Sequence, residues 1–582
     1  MREPIKIVEI DLDYCNLTYG TSPCAAILGE TGQAKCFNTF PTCQDGANFA
    51  RDVKTYRYIQ PMARYPKGGL YFPYLVQTSS RSSKANIAGA DPRLDSLGQR
   101  GTISATFIDA PHHDRGVDKY ARERVTGAAL ASGIGYNPMD RGSHFGKLKA
   151  RNPNYAGRPM REITGYVDGG VLTVTSTRHF VITEIVGPDA DGNVTIEGKD
   201  ILALASNDRA VVPKPNQGQL NRNITASDVT FDLTPAGIGN AEYPASGFAA
   251  IGSELVAFTR TADTITLTQR GVNRTGITGH NVNDTFQVTY SPRRRRIDFV
   301  LYDLLSSAGV SDDFLPVEDW AAEVDRWAPS LVLSTDIMKP EGVTSLIGEL
   351  ADLGVTVWWD EVAQKVKMQV NRPVDTETTR VLTDRNNIRE IRQEDMQDER
   401  KTEVIFKTVQ IDPSRGVGKD NFLRTRYTID ATSKLPQSYG DTRIKEIYCR
   451  WLNYGNDSLV RLLSLRLLNR FKDTPKRYYL EVDINDDMGV VEVARIESRV
   501  TQNPDGDLQP VLAQVIMRED KHPSHSVALT LQRFQFDQRY GFVTENDRPT
   551  YTLSNAAQRA RGCYLVGDTL EFSDGTGPYR MI

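Results

Sequence analysis

No run of about 18 apolar residues occurs in the 582-residue sequence, and its first residues, MREPIKIVEIDLDYCN, lack the uninterrupted apolar stretch of a signal peptide. The chain is therefore expected to be made and kept in cytosol, with no membrane partner. A charge excess of either sign is also missing. Lys and Arg number 70 against 74 Asp and Glu, for a formal net charge of -4 and a pI near 6.1. That balance argues against a dedicated nucleic-acid binder, so any contact with DNA is local. There are seven histidines and no HExxH helix, GxSxG elbow or Walker loop. No catalytic residue is assigned, and the chain is read as not an enzyme.

Disorder and low complexity are excluded by ordinary usage, with 39% hydrophobic residues, 25% charged residues, 45 Gly and 29 Pro. At roughly 150 residues per domain the length corresponds to about four domains. The patterning divides the chain further. Residues 1–60 are punctuated by cysteine and rich in Thr, Asn and Gly. Residues 61–213 carry β runs at Thr102–Ile108, Glu162–Val167, Val171–Val174 and His179–Ile185, as expected of an antiparallel barrel or sandwich. Asp114–Lys149, between two of these runs, is expected to be a long polar loop. Residues 214–292 are expected to form a small inserted all-β unit.

Residues 293–378 turn to mixed α and β. Ile297, Val300, Leu301, Leu304 and Leu305 have the spacing of one helix face, followed by Val317, Trp320, Val324 and Trp327, then Val343, Leu346, Ile347, Leu350 and Leu353 before Gly354. Val355–Trp359 and Val366–Val370 predict a hairpin. Residues 379–536 are expected to form a second β-barrel interrupted by one helix near Asp457–Lys472. On that helix Leu459, Leu463, Leu467 and Phe471 form an apolar stripe, Asp457 or Ser458 is the expected N-cap, and Arg461, Arg466 and Arg470 stay off the stripe. Residues 537–582 are an arm with weak β signals. The fold class is thus mainly β, with barrel domains, a mixed α/β middle and a small cysteine-rich N-terminal cluster domain.

Cysteine is scarce as well, at six residues, but Cys15, Cys24, Cys36 and Cys43 gather near the start while Cys449 and Cys563 stand alone. The gaps of eight, eleven and six residues are longer than the knuckles favoured by structural zinc. Paired thiols are uncommon in a reducing cytosol. A metal or iron-sulfur site, disulfides and unrelated thiols remain three open readings of the residues alone. Thiolates bind iron strongly, and Gly20, Gly29 and Gly32 would let backbone pass close to a bulky cluster, with Asn16, Thr18, Thr21, Ser22 and Thr42 as donors to sulfur.

Other candidates carry bland expectations. His112-His113-Asp114 and His522-Pro523-Ser524-His525 are expected in solvated loops. Arg293–Arg296 is expected to solvate a hinge rather than hold DNA phosphates. Trp358 and Trp359 should face opposite sides of a strand, one in the core and one at another surface.

Cys15-Asn16-Leu17-Thr18-Tyr19-Gly20-Thr21-Ser22-Pro23-Cys24, with Lys35-Cys36-Phe37-Asn38-Thr39 and Thr42-Cys43-Gln44-Asp45, resembles the cysteine motif of tailed-phage tail-tip proteins. In lambda-like minor tail proteins a similar four-cysteine domain, with the same outer gaps, binds an iron-sulfur cluster. Gly142–Lys147, Ala150–Pro153, Gly157–Pro159, Glu197–Leu202, Pro340–Val343, Trp358–Glu361 and Arg450-Trp451 are similar to hub proteins of long noncontractile phage tails. The likeness spans residues 1 to about 535.

The resemblance implies a baseplate hub with β-barrel domains flanking a mixed middle. It implies a homotrimer at the virion tail tip, assembled in the host cytoplasm and closing the tail tube. The implied partners are the distal tail protein, the tape-measure protein and a central fibre or spike, with DNA crossing the lumen after opening. It also implies a 4Fe-4S cluster on Cys15, Cys24, Cys36 and Cys43. The order departs from the lambda-like case, because the cysteines precede the barrel. A redox-active iron-sulfur protein and a host-surface adhesin working through residues 214–290 are the alternatives.

Overall fold

The computed structural model describes residues 3–120, 142–206, 208–361, 363–372, 380–521, 524, 526–534, 540–543, 555–561, 563–571 and 578–581. Its first sheet begins at the start of the chain. In β1 (Glu3–Cys15) Val8, Ile10 and Leu12 alternate into one core while Ile5 and Ile7 enter a second apolar cluster. β2 (Arg51–Ile59), β3 (Tyr71–Phe72), β4 (Leu75–Arg81), β5 (Thr102–Ile108), β6 (Pro159–Asp168), β7 (Val171–Val186) and β8 (Asn193–Lys199) complete it. The order is β3-β2-β1-β6-β7-β8-β5-β4. Its two edge strands are joined across Pro73 and Tyr74, so the sheet curls back on itself as a nearly closed barrel.

Two expectations are corrected here. Residues 1–60 are not a separate domain, because β1 and β2 pair with each other and β1 also pairs with β6. The cysteine-rich part is the excursion 16–50 between two neighbouring barrel strands. Val171–Val174 and His179–Ile185 are likewise one strand, β7. The polar residues Thr175 to Thr177 hid its continuity: Ser176 and Thr177 stay in the ladder to β6, and Thr175 is a bulge at which the register shifts by one residue.

The inserted unit is present as expected. Six strands, β9 (Gln219–Leu220), β10 (Thr230–Thr234), β11 (Ser246–Ile251), β12 (Glu254–Thr261), β13 (Thr264–Gln269) and β14 (Phe286–Val288), form one sheet in the order β9-β10-β13-β12-β11-β14. Its own core contains Phe231, Phe258 and Phe286. Helix α1 (His144–Arg151) belongs to the first barrel, and the short α2 (Ile238–Glu242) to the inserted unit. Part of the stretch expected to be a polar loop is therefore helical.

The middle helices are where periodicity placed them: α3 (Ile297–Ser307), α4 (Val317–Trp327) and α5 (Val343–Asp352). The five apolar residues of α3 are fully buried, each stabilising by about 1.5–3 kcal/mol relative to exposure. β15 (Val355–Asp360) and β16 (Lys365–Val370) pair as the expected hairpin. Trp358 and Trp359 are both buried, at 8% and 1% exposure, because the hairpin is covered on its two faces.

The last large sheet takes the order β17-β23-β24-β25-β22-β18, from β17 (Arg380–Thr383), β18 (Ile388–Asp395), β22 (Lys476–Asp483), β23 (Val493–Glu497), β24 (Val511–Lys521) and β25 (Ser526–Arg533). It is a half-barrel. A separate three-stranded sheet, β20-β19-β21, is made by β19 (Glu403–Gln410), β20 (Phe422–Ile429) and β21 (Ile444–Cys449). Tyr540–Val543, Cys563–Glu571 and Pro578–Met581 pair as a small C-terminal sheet.

Helix α6 (Asp457–Phe471) buries Leu459, Leu463, Leu467 and Phe471. It also buries Arg466 and Arg470, each 2% exposed, contrary to the expected charged face. The helix lies between β19–β20 and the middle unit, so both sides are covered. Arg466 donates to the Trp327 carbonyl at 3.2 Å and Arg470 to Asn371 Oδ1 at 3.2 Å. Burial pushes their guanidinium pKa values down to about 10 and about 9. The expected cap is not formed: Asn456 stands at the N-cap without a side-chain bond.

One large apolar core joins α3–α6, the hairpin, β19, β21 and the 85–97 loop of the first barrel. Polar locks reinforce it. Ala85 N–H donates to the Ile516 carbonyl at 2.8 Å, and Arg178 makes two bonds to Glu361 at 2.7 and 3.1 Å. Arg293, Arg295 and Arg296 stay at the surface and pair there with Asp336, Asp303 and Asp298. The run is solvated as expected, with three of its guanidinium groups held in ion pairs. No described helix is long and apolar enough to cross a membrane.

Asp200, beside this joint, accepts from Gly101 N–H at 2.6 Å with one oxygen and has no partner for the other. Burial raises its pKa from 3.8 to about 6, and the neighbouring Glu361 adds to the rise. A raised folded-state pKa means its contribution is fully present below about pH 4 and is lost as pH climbs through about 6. Asp200→Asn should remove that loss. Urea unfolding should show the variant gaining about 2–3 kcal/mol on the parent between pH 4 and pH 7, and a constant difference would contradict this assignment.

Candidate cysteine site

The excursion 16–50 has little regular structure: two short 3-10 turns, Phe40–Thr42 and Gly46–Asn48. Local bonds shape it instead. Cys15, the last residue of β1, donates its N–H to the Asn38 carbonyl at 2.7 Å. Asn38 has φ of 58°, a left-handed conformation that Asn tolerates better than most residues. Its amide returns bonds to the carbonyls of Cys15 and Leu17 at 3.1 and 3.2 Å. Cys24 and Cys43 close tight turns onto Thr21 and Phe40. Gly20 and Gly29 take left-handed φ of 68° and 87°, as the close turns of the excursion require.

All four thiols are free, and so is Cys449. Two sulfurs receive backbone donors in the same pattern: Asn38 N–H reaches Cys36 Sγ at 3.3 Å and Asp45 N–H reaches Cys43 Sγ at 3.4 Å. These donors differ from the side chains expected from sequence. Thr42 Oγ1 instead accepts from Phe37 N–H and approaches Thr39, while Thr18 Oγ1 accepts from Lys119.

The structure gathers the four residues electrostatically. Burial raises the Cys36 pKa, the Asn38 N–H opposes that rise, and the charges of Cys43, Cys15 and Cys24 add to it. Burial also raises Cys43, with Cys15 and Cys24 contributing in the same sense. Cys36 and Cys43, both raised, ionise more readily where a cation compensates them. Tyr19 and Tyr120 border the group; burial raises both phenols, and Cys36 and Cys24 push them further.

As a donor set, four thiols with N–H groups on two sulfurs fit a thiophilic metal or an iron-sulfur cluster. Among the described residues, no three His, Cys, Asp or Glu side chains are drawn close enough to hold a metal ion as they stand. The four residues thus supply thiol chemistry at one loop. Cys563 side-chain placement, like His522 and His525, lies outside the described residues.

The seat of the loop was not anticipated. Lys35 is buried, pairs with Asp118 and donates to the Tyr120 carbonyl at 3.2 Å. Arg151, on α1, lies 4.0 Å from the Phe37 ring centroid and bonds Asp114 at 2.9 Å, as Lys147 does at 2.8 Å. Asp114 is only 1% exposed. Burial favours its protonation, but the bonds from His112, Arg151 and Lys147 outweigh that and hold it well below the usual carboxylate range.

The His112–Asp114 segment is therefore an anchor between barrel and cysteine loop and not a solvated turn. Lys147 and Arg151 are four apart on one helix face, a signal the sequence did contain. His144 lies beneath, its Nε2 3.0 Å from the Tyr58 hydroxyl, with burial pushing its pKa down to about 3.

No family profile matches this chain, and no curated protein matches it in sequence. Solved structures show a weak likeness. Prophage tail protein gp18 from Listeria monocytogenes EGD-e is 10% identical, covering 69% of this chain and 88% of its own, with a TM-score of 0.28. The prophage MuSo2 43 kDa tail protein from Shewanella oneidensis is 9% identical, with 79% and 97% covered and a TM-score of 0.33. A tail protein from Neisseria meningitidis MC58 is 10% identical, with 79% and 97% covered and a TM-score of 0.32.

Proposed function

We propose that the chain is a structural protein of a phage tail, acting as the hub that closes the distal end of a long noncontractile tail tube. One observation carries this reading. A nearly closed barrel sheet and a half-barrel sheet flank a mixed α/β unit and are tied together by a common apolar core and buried ion pairs. That arrangement is what the sequence resemblance implies for tail-tip hubs. It is also suited to a part that transmits load without turnover, since its joints are packed and paired rather than open.

In this reading three copies surround the tube axis and contact the distal tail protein, the tape-measure protein and a central fibre or spike. Cys15, Cys24, Cys36 and Cys43 hold an iron-sulfur cluster of the 4Fe-4S type. When bound, that group supplies a compensating positive charge and four thiolate bonds that cross-link the loop. The chain's own residues do the rest: Asn38 and Asp45 donate N–H to sulfur, and Lys35, Asp118 and Arg151 fix the loop against the barrel. A loop of this kind buries too little apolar surface to hold itself closed, and structural metal commonly provides that free energy.

Light scattering of the full chain, purified without oxygen, tests the assembly. Three chain masses are expected; a monomer across the accessible concentration range would contradict a self-assembling hub.

A further inference from the structure

The three-stranded sheet β20-β19-β21 ends in a strand with a single partner. β20 is eight residues long and pairs with β19 along one side, so the backbone N–H and C=O groups of its other side form an open row. Native sheets commonly keep such an edge short or interrupt it with proline, and β20 does neither. Its protection is charge, and charge selects what can pair with it.

The two faces of the strand differ. Leu423, Tyr427 and Ile429 stand on one face, between 47% and 60% exposed, and Ile444 of β21 adds to that face at 49%. Exposed apolar side chains grouped in this way mark an interaction surface. The register puts Arg424, Arg426 and Thr428 on the opposite face, beside Thr408, Phe406 and Val404 of β19. Val404 and Phe406 belong to the large core, so that face is turned to the body.

Arg424 pairs with Asp457 at the start of α6. Arg426 is partly exposed, makes no hydrogen bond or ion pair with any described residue, and has its Nε buried without a partner. A guanidinium half withdrawn from water in this way is matched best by a carboxylate. β20 holds no acidic residue. The sheet's own edges in a second copy do not supply one either. Antiparallel pairing of two β20 edges sets Arg424 and Arg426 against their counterparts, and like charges facing across strands destabilise. The free edge of β21 offers Lys445, Ile447 and Cys449 on that face, with no carboxylate for Arg426.

We propose that β20 is a strand-addition site, at which an extended segment of another protein, alternating acidic and apolar residues, pairs along the free edge. Main-chain hydrogen bonds supply the affinity and the alternation supplies the selectivity. The apolar residues cover Leu423, Tyr427 and Ile429, and the acidic residues meet Arg426 and Arg424 on the other face. The site belongs to this sheet alone and does not depend on the hub role.

Fluorescence anisotropy of the full chain tests it with a labelled octapeptide of alternating Glu and Val. The controls are the same peptide with Lys in place of Glu, and the same peptide N-methylated along its backbone. Saturable binding of the Glu peptide is expected, about tenfold or more tighter than the Lys peptide, with none for the N-methylated one. Arg426→Gln should weaken it by about tenfold and Tyr427→Ser by several-fold, with an unchanged melting temperature for the exposed Tyr427. No saturable binding of the Glu peptide would overturn the proposal. So would equal binding of the Lys or the N-methylated peptide, or affinity that survives both variants. Light scattering in which Tyr427→Ser lowers the assembled mass, with no Glu peptide bound by the parent, would give the edge to a second copy and overturn it as well.

Discussion

Arg477→Met should destabilise the protein by about 3–5 kcal/mol, the range for removing one partner of a buried ion pair. Arg477 sits on β22 of the half-barrel and reaches Asp91 in the first barrel's 82–101 loop at 2.6 Å, while also pairing with Glu399. All three side chains are nearly inaccessible to solvent. Burial raises the pKa of both carboxylates, but the outcomes differ. Bonds from Arg93 and Arg477 outweigh burial at Asp91 and leave it well below the usual carboxylate range, whereas Glu399 stays raised.

Without the guanidinium, the two buried carboxylates lose the partner they share most closely, and Arg93, 3.1 Å from Asp91 and 3.8 Å from Glu399, is left as the weaker cation between them. The variant should therefore recover part of its stability on acidification, as Glu399 takes up a proton. Urea unfolding at pH 7 and pH 5 checks both statements. A variant within about 0.5 kcal/mol of the parent at pH 7, the ordinary range for a surface change, would remove this joint from the account of rigidity.

The second large effect is on composition. Cys36→Ser should lose iron and acid-labile sulfide together. Cys36 is the thiol whose charge is coupled to the other three, and it receives the Asn38 N–H. A serine hydroxyl is a poor substitute for thiolate toward iron, and a cubane left with three protein thiolates is readily lost.

Cleavage within residues 16–50 by added protease should quicken, while β1 and β2 stay paired in the barrel and global unfolding shifts less. Cys449→Ser is the control. That thiol is buried at the end of β21, where burial pushes its pKa up to about 12, and it lies far along the chain from the excursion. Iron and sulfide per folded chain should stay unchanged in it. Zinc without sulfide in the parent would make the cysteines a zinc site and contradict the cluster.

These expectations show what was legible in the sequence. The helices α3 to α5 were, because their apolar residues recur at 3.6-residue spacing and each faces one core. The inserted sheet was, because its strands alternate and are bounded by Gly and Asn. β1 was harder: Ile5, Ile7, Val8 and Ile10 are all buried, so the alternation of a half-exposed strand is absent, and the cysteines beyond it drew the boundary to residue 60.

The arginines of α6 failed for a different reason. Their long stems pack beside apolar residues and their heads find carbonyl and amide partners across the chain at Trp327 and Asn371. No local pattern records such partners. The four cysteines were singled out by type, clustering and the resemblance of their motif. Their anchors Lys35, Asp114, Asp118 and Arg151 were not, since an ion pair between positions far apart in sequence leaves no periodic trace.

The proposed role makes the protein a fixed part of a phage tail tip. Gold-labelled antibody against the full chain, applied to purified virions and viewed by electron microscopy, locates it on the particle. Label is expected at the distal end of the tail on most particles; intact particles without label, or labelled only on the head, would rule out a tail-tip role.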